Sequence, residues 1–214
     1  MIRVLLAEDQ AMVRGALAAL LGFEPDIEVV AQVARAPEVV PAALEHRPDV
    51  ALLDIELFDG DGLTAAVDLK RALPECRVVM LTTFGRVGYL RRAVTGGAVG
   101  FLLKDTPAAE LSGAIRRVMM GERVIDPGLA LTALSESENP LTARERDVLS
   151  ASIDGAAVAD IAARLRLSEG TVRNHLSMAI QKLGSRNRVE AARLAQQKGW
   201  LAPQGRAIRL PGRS

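Results

Sequence analysis

The chain has 214 residues, of which 49% are hydrophobic and 25% charged, and its formal net charge is +1. This length suits two small domains better than one, and the composition excludes a disordered or low-complexity protein. No apolar run reaches the roughly 20 residues of a membrane-spanning helix, and the single cysteine excludes an internal disulfide and a Cys-rich zinc site.

The first nine residues, MIRVLLAED, begin with an aliphatic run that ends in two acids. A signal peptide needs a longer apolar stretch than this. We therefore expect a cytoplasmic protein without a membrane partner.

Short aliphatic runs alternate with segments of helical spacing over the first 121 residues. Runs of this kind are typical of strands buried on both faces of a parallel sheet. The pattern predicts an α/β fold, a doubly wound five-stranded parallel (βα)5 domain over residues 1–121. The predicted strands are Ile2–Ala7, Ile27–Val33, Val50–Leu53, Val78–Leu81 and Val99–Leu103, and the predicted helices cover 11–22, 37–46, 63–72, 86–95 and 107–120.

Five polar residues lie at the ends of four of these strands: Glu8, Asp9, Asp54, Thr82 and Lys104. The carboxyl ends of parallel strands meet at one edge of the sheet, so these side chains are expected to converge. Clustered carboxylates bind a hard cation such as Mg²⁺, particularly where phosphate shares the coordination. A carboxylate can also act as a nucleophile toward a phosphoryl group, and an ammonium group would neutralise the charge that develops there.

The motifs around these positions resemble the receiver domain of two-component response regulators. The matching segments are Ala7-Glu8-Asp9, Leu52-Leu53-Asp54, Asp61-Gly62, Leu81-Thr82-Thr83, Gly96-Gly97-Ala98 and Gly100-Phe101-Leu102-Leu103-Lys104. The resemblance implies that Asp54 is the phosphoryl acceptor and that Phe101 is an aromatic switch. It also implies that Thr82 and Lys104 contact the phosphoryl oxygens. The implied magnesium ligands are Glu8, Asp9, Asp54 and the backbone carbonyl of Glu56.

One position departs from the receiver pattern. The family usually has a proline four residues after the acceptor, whereas this chain has Phe58, followed by Asp59 and Gly60. The departure predicts an unusual loop after Asp54 and altered rates of phosphorylation or dephosphorylation.

Residues 122–139 change character, with Pro127-Gly128 followed by a run of Ser, Glu and Asn. Such composition is typical of a linker, with at most a short helix at its start. Residues 140–201 show helical spacing only and predict an all-α domain with helices near 143–153, 158–164, 169–183 and 187–198. The last residues, 202–214, are rich in Pro, Gly and Arg and predict a disordered tail.

The charge of the chain is unevenly distributed. Residues 1–130 contain 18 Asp and Glu against 14 Lys and Arg, whereas residues 131–214 contain 8 against 13. The basic half is therefore the part suited to meet nucleic-acid phosphates.

Two short helices in the basic half are separated by a brief turn at Arg166-Leu167, which is the arrangement of a helix-turn-helix. Ser168 is a good N-cap for the second helix, and Gly184 is suited to end it. Arg173 and Asn174 lie on this second helix and are residue types that pair with guanine and adenine edges.

The basic half resembles the LuxR-type (NarL/FixJ) DNA-binding domain. The matching segments are Leu141-Thr142-Ala143-Arg144-Glu145-Arg146-Asp147-Val148-Leu149, Leu167-Ser168-Glu169-Gly170-Thr171-Val172 and Lys182-Leu183-Gly184. The resemblance implies that Arg173, Asn174 and Ser177 face bases, while Thr171, His175 and Lys182 lie near phosphates. Thr83-Phe84-Gly85-Arg86 and Gly170-Thr171-Val172-Arg173-Asn174 further resemble the DesR-like subgroup. Ala157 stands where the family often has a polar helix cap, so that helix start is expected to fray.

The two resemblances together imply a response regulator that is not an enzyme. A sensor histidine kinase would phosphorylate Asp54, and the protein would then dimerise and bind promoter DNA. One alternative is a phosphorylation-independent transcription factor with a vestigial receiver. A second is a phosphatase of the haloacid dehalogenase type, suggested by Asp54-Ile55-Glu56, although that class has a second Asp where this chain has Glu56.

Overall fold

The computed structural model describes residues 1–83, 85–135 and 139–201. The chain forms two compact units that divide near residue 135. None of the described helices combines the length and the apolar character needed to cross a membrane. The predicted disordered tail, 202–214, lies outside the described residues.

The first unit is built on a parallel sheet whose strand order is β2-β1-β3-β4-β5-β6. Strands β3 and β4 are buried almost throughout because helices cover both faces of the sheet, which explains their continuous apolar sequence. The strands are β1 Ile2–Ala7, β2 Ile27–Val33, β3 Val50–Asp54, β4 Arg77–Thr82, β5 Gly100–Leu103 and β6 Val124–Ile125.

Helices connect consecutive strands as the periodicity predicts. Successive side chains of a strand point to opposite faces, so Val4 and Leu6 pack with the apolar sides of α1 and α5, whereas Leu5 lies on the other face. The helices of this unit are α1 Ala11–Gly22, α2 Val39–His46, α3 Gly62–Ala72, α4 Val87–Thr95, α5 Ala108–Met119 and α6 Pro127–Ser135, with a short 3-10 helix at Ala36–Glu38.

The predicted α/β class and parallel doubly wound sheet are confirmed, but the count of five strands is wrong. A sixth strand, β6, pairs in parallel with β5 through Gly100↔Val124 and Phe101↔Ile125. A two-residue strand is too short to produce a periodic signal in the sequence, and it forms because β5 offers an unpaired edge. Both β6 and α6 lie within the stretch predicted as a linker.

The second unit is all-α among the described residues, as predicted. Its core joins buried aliphatic and alanine side chains from all four helices, including Val148, Ile161, Val172 and Ala191. Alanines let helices approach closely, which suits a small domain with few aromatic residues. The helices are α7 Ala143–Ala151, α8 Val158–Leu165, α9 Glu169–Lys182 and α10 Arg188–Gln197.

Capping and turn residues explain where these helices begin and end. Ser168 caps α9 by accepting a hydrogen bond from the backbone N–H of Thr171. Arg166 has a left-handed backbone (φ 54°) that makes the tight turn between α8 and α9. Ala157 makes no side-chain cap for α8, and the fraying expected there stays a prediction.

Candidate functional site

A cluster of carboxylates lies at the carboxyl edge of the sheet. Strands β1 and β3 are adjacent and in register at Ala7↔Leu53, so Glu8 and Asp54, each one residue further along, lie beside each other. Carboxylate oxygens of Glu8, Asp9 and Asp54 lie within 4.8 Å of one another, and all three residues are buried. The parallel topology therefore brings Asp54 beside Glu8 and Asp9, from which it is separated by more than 40 residues in the sequence.

Lys104, which directly follows β5, extends its ammonium group into this cluster. Its Nζ lies 2.8 Å from Oδ2 of Asp54 and 2.6 Å from Oε2 of Glu8. Burial by itself would lower the pKa of Lys104, but the hydrogen bonds and attraction from both carboxylates outweigh it, so that pKa is raised. Lys104 therefore remains a cation between the two acids.

The Asp54 carboxyl is costly to ionise. Burial raises the pKa of Asp54 to about 6, and the neighbouring Glu8 charge adds to the increase, although Lys104 opposes it. A divalent cation at this point would favour the ionised carboxylate, which is the nucleophilic form.

The donor set fits a hard cation. Carboxylate oxygens are the ligands that Mg²⁺ and Ca²⁺ prefer, and the three acids already lie close enough to share one ion. One ammonium group faces three carboxylates in the cluster, so a bound cation would relieve their mutual repulsion.

The loop between β3 and α3, residues 55–61, wraps closely around Asp54. The backbone N–H of Glu56 donates to the Asp54 carboxylate, and the N–H of Gly62 donates to the carbonyl of Ile55 at 3.0 Å. A Cβ added to Gly62 would lie only 1.8 Å from the backbone oxygen of Asp54. Glycine is therefore required where α3 begins, because any side chain would displace the end of β3.

Thr82 and Phe101 occupy the places that the sequence predicts on neighbouring strands. Thr82 ends β4, is buried, and pairs in register with Leu103, the residue before Lys104. Phe101 is 1% exposed, with its strand neighbours Met80 and Ile125 on either side. An aromatic switch at Phe101 would therefore start from an inward position.

Sequence reasoning missed an ion pair beside the cluster. Asp61 caps α3 by accepting a hydrogen bond from Leu63, and its other oxygen lies 2.8 Å from Nη2 of Arg92 on α4. An Asp directly before a helix is a capping signal that could have been read. The Arg92 partner, 31 residues away, leaves no local signal.

The predicted DNA-contacting residues lie on α9, and the exposed ones share its polar face. Arg173, Asn174 and Ser177 are exposed, while Thr171 and His175 are partly buried. Arg173 forms an exposed ion pair with Glu169 at 2.5 Å, one helical turn earlier. Such a pair is weak and exchanges readily for a stronger anionic partner.

Lys182 is held differently from the other residues of this helix. Its Nζ lies 2.8 Å from the buried carboxylate of Glu145, which also forms a capping box with Thr142 at the start of α7. Although burial alone would raise the pKa of Glu145, the hydrogen bonds from Lys182 and Thr142 keep it below the usual value. Lys182 thus ties the end of α9 to the start of α7.

Met178 is a further exposed residue of α9 that the sequence analysis did not select. It is 40% exposed and follows Ser177 on the polar face. An apolar side chain in this position is suited to contact a thymine methyl group.

Comparisons with known proteins identify the family of each unit. Residues 4–116 match the family model of the response regulator receiver domain, and residues 139–195 match that of the bacterial regulatory proteins of the luxR family. The chain is 45% identical to YvfU of Bacillus subtilis, an uncharacterised transcriptional regulatory protein, over 94% of this chain and all of that one. It is 44% identical to the transcriptional regulatory protein DesR of the same organism, over 94% and 99% of the two chains.

A solved structure also resembles this chain. The response regulator ChrA of a heme-sensing two-component system is 34% identical, with a TM-score of 0.55, over 92% of this chain and 97% of that one. The likeness to DesR agrees with the subgroup that the motifs indicated.

The close approach of Gly62 to Asp54 leads to a prediction. Gly62→Ala should lower the free energy of unfolding by roughly 1–3 kcal/mol, because the added methyl group forces the backbone of β3 to move. Gly15→Ala is the matched control: Gly15 lies within α1 with nothing near its missing Cβ, so helix propensity should stabilise that variant by up to about 1 kcal/mol. Urea denaturation followed by circular dichroism compares them, and equal effects of the two substitutions would contradict the steric argument.

Proposed function

The chain belongs to the transcriptional response regulators that join a receiver domain to a LuxR-type DNA-binding domain, and from that membership we propose how its own residues transmit a signal. Asp54 accepts a phosphoryl group from a sensor histidine kinase, and the modified protein dimerises and binds promoter DNA. The observation that carries this proposal is the cluster of Glu8, Asp9 and Asp54 with Lys104 at one edge of the sheet.

Magnesium is the cofactor that we assign to this cluster, with Glu8, Asp9, Asp54 and the backbone carbonyl of Glu56 as its ligands. When bound, the ion supplies positive charge that offsets repulsion between the carboxylates and an incoming phosphoryl group. We assign Asp54 as the nucleophile because its carboxylate stands at the end of β3, beside the other acids and in contact with Lys104. Thr82 and Lys104 bind the phosphoryl oxygens, and the ammonium group of Lys104 leaves its carboxylate partners to do so.

A vestigial receiver is the less favoured alternative. A domain that no longer accepts phosphate has no need to keep three buried acids and a buried ammonium group together, because such a cluster is costly to fold. The phosphatase alternative is weaker still, since an acid two residues after the nucleophile must act as a proton donor and Glu56 stands in the place of the required Asp.

We assign sequence recognition to the exposed polar face of α9. Arg173, Asn174 and Ser177 face base edges, while Thr171 and His175 lie beside the phosphate backbone. Lys182 adds positive charge near the same backbone, although its ion pair with Glu145 also gives it a role in orienting α9. The exposure of Arg173 and Asn174 supports this assignment.

Activation by dimerisation is the next part of the proposal. A single helix-turn-helix reads few base pairs, so two related half-sites are needed for useful specificity. Leu111, Ile115 and Val118 of α5 are buried against the sheet, which leaves Met12 of α1, at 87% exposure, as an available apolar contact. Val189 of α10, at 64% exposure, offers a second contact in the DNA-binding unit.

We divide the chain into a receiver domain at 1–121, a linker at 122–139 and a DNA-binding domain at 140–201. The matched families at 4–116 and 139–195 support the two domains. The first compact unit extends to Leu134 and so includes β6 and much of the proposed linker.

Phosphorylation of Asp54 is testable directly. Acetyl phosphate with magnesium should add one phosphoryl group to the wild type and none to Asp54→Asn, because the amide is not a nucleophile. Intact mass spectrometry measures the adduct, and chelation of magnesium should abolish labelling of the wild type. A phosphoryl adduct that persists in Asp54→Asn would rule out Asp54 as the sole acceptor.

If Arg173 contacts a base, replacing it should weaken the affinity for the specific DNA site more than the affinity for random DNA. Arg173→Ala should weaken binding to the specific site by roughly 1–3 kcal/mol and have little effect on random DNA. Arg144→Ala, which removes an exposed arginine of α7 paired only loosely with Asp147 at 3.6 Å, serves as a control. Fluorescence anisotropy with both DNAs at one salt concentration gives the comparison, and equal losses on the two DNAs would show that Arg173 contacts no base.

Dimerisation predicts a change in mass on activation. Beryllofluoride, which mimics the phosphoryl group, should shift the full chain from monomer to dimer, because a ligand shifts an equilibrium by binding one state better. Met12→Ser should reduce this shift if α1 forms the interface. Light scattering at tens of micromolar measures it, and an activated protein that stays monomeric yet binds its promoter more tightly would refute the proposal.

A further inference from the structure

The loop that follows Asp54 is attached to a second loop that belongs to none of the sites described above. Residues 34–38 connect β2 to α2 and include the short 3-10 helix. Arg35 and Phe58 form an isolated parallel bridge, and the N–H of Ala36 donates to the carbonyl of Phe58 at 3.0 Å. We call the contacts of residues 35–36 with residues 58–60 the clasp.

An ion pair strengthens the clasp. Nη2 of Arg35 lies 2.5 Å from Oδ2 of Asp59, and both side chains are nearly half exposed. Glu38 fixes the backbone on the Arg35 side, since its carboxylate accepts the N–H groups of Ala34 and Arg35 at 3.2 Å. The arginine is therefore presented from a rigid turn rather than from a free loop.

Each of the residues 58–60 has a backbone property that allows the clasp to form. Proline at position 58 would have no N–H to contribute to a bridge, whereas Phe58 has one. Asp59 has a left-handed backbone (φ 53°), which Asp and Asn tolerate better than most residues. A Cβ on Gly60 would lie 2.6 Å from the Cβ of Ala36, so glycine allows the two loops to approach.

The clasp lies close in sequence to a backbone group of the β3–α3 loop that contacts the Asp54 carboxyl. Glu56, two residues before Phe58, donates its N–H to the Asp54 carboxylate. Ile55, directly before Glu56, accepts a hydrogen bond from the N–H of Gly62, and Phe58, two residues after Glu56, is held by the clasp. The peptide groups of Glu56 are thus oriented by anchors on both sides.

We propose that Arg35 and Asp59 are positioning residues for the Asp54 site, which act by holding the Glu56 backbone where a bound magnesium ion needs it. This inference rests on the proposed function, because it assigns a role to the loop that carries the proposed magnesium ligand. Phe58, the position that departs from the receiver pattern, is itself part of the clasp.

The test compares Arg35→Gln and Asp59→Asn with the wild type in the full chain. Each variant removes one charge, and Asn keeps the tolerance of Asp for the left-handed backbone. We expect the magnesium dissociation constant, measured by calorimetry, to rise by about two- to fivefold, the range that an exposed ion pair supports. The rate constant of labelling by acetyl phosphate at a fixed magnesium concentration should fall correspondingly.

Three controls separate positioning from general stability. Arg71→Gln removes a similarly exposed arginine, paired with Asp68 at 3.6 Å on α3, and should leave magnesium affinity unchanged. The double variant Arg35→Gln/Asp59→Asn should bind magnesium as the single variants do, because the interaction is already lost. In 1 M NaCl the difference from the wild type should shrink, since salt screens exposed pairs.

The outcomes are distinguishable from those of the proposed function. A wild type that takes no phosphoryl group at Asp54 contradicts the proposed function. A wild type that is labelled normally, with both variants equal to it in magnesium affinity, overturns the role of the clasp alone. Additive losses in the double variant, or a loss of the same size in Arg71→Gln, would also overturn it.

Discussion

The burial of three carboxylates beside one ammonium group is the constraint on which the receiver unit depends. Glu8, Asp9 and Asp54 repel one another, and burial makes each charge more costly than it would be in water. Lys104 offsets part of this repulsion, because its ammonium group contacts both Glu8 and Asp54. A bound cation would therefore relieve the repulsion among these carboxylates.

The parallel sheet makes this arrangement possible. Its strands end at one edge, so Glu8 after β1, Asp54 at the end of β3 and Lys104 after β5 meet there, although up to 96 positions separate them along the chain. The helices that cover both faces exclude water from the strands, and the same exclusion raises the pKa of Asp54. Fold stability and site reactivity thus have a common origin in the burial of the sheet.

The DNA-binding unit is arranged differently. The polar face of α9 is exposed, and the core on which this helix packs holds it in place. Val172 and Leu176 anchor α9 in the core, and Lys182 ties its end to Glu145. Arg173 and Asn174 are left on the outer face. The helix can therefore present those residues with little loss of backbone entropy on binding.

The sequence by itself determined the two domain types, the helices to within two residues or so, and all the members of the acid cluster. Hydrophobic periodicity is a local property, so the sequence reveals strands and helices. Sites in parallel sheets lie at the carboxyl ends of the strands, so the polar residues at those ends could be grouped into one site. Only the tertiary structure decided which contacts cross between elements. It revealed β6, the pairs Asp61–Arg92 and Lys182–Glu145, the clasp at Arg35–Asp59, and which residues of α5 are buried. The three ion pairs join residues that lie 24 to 37 positions apart in the sequence. The burial of α5 residues depends on the direction of each side chain. The spacing of apolar residues encodes neither property.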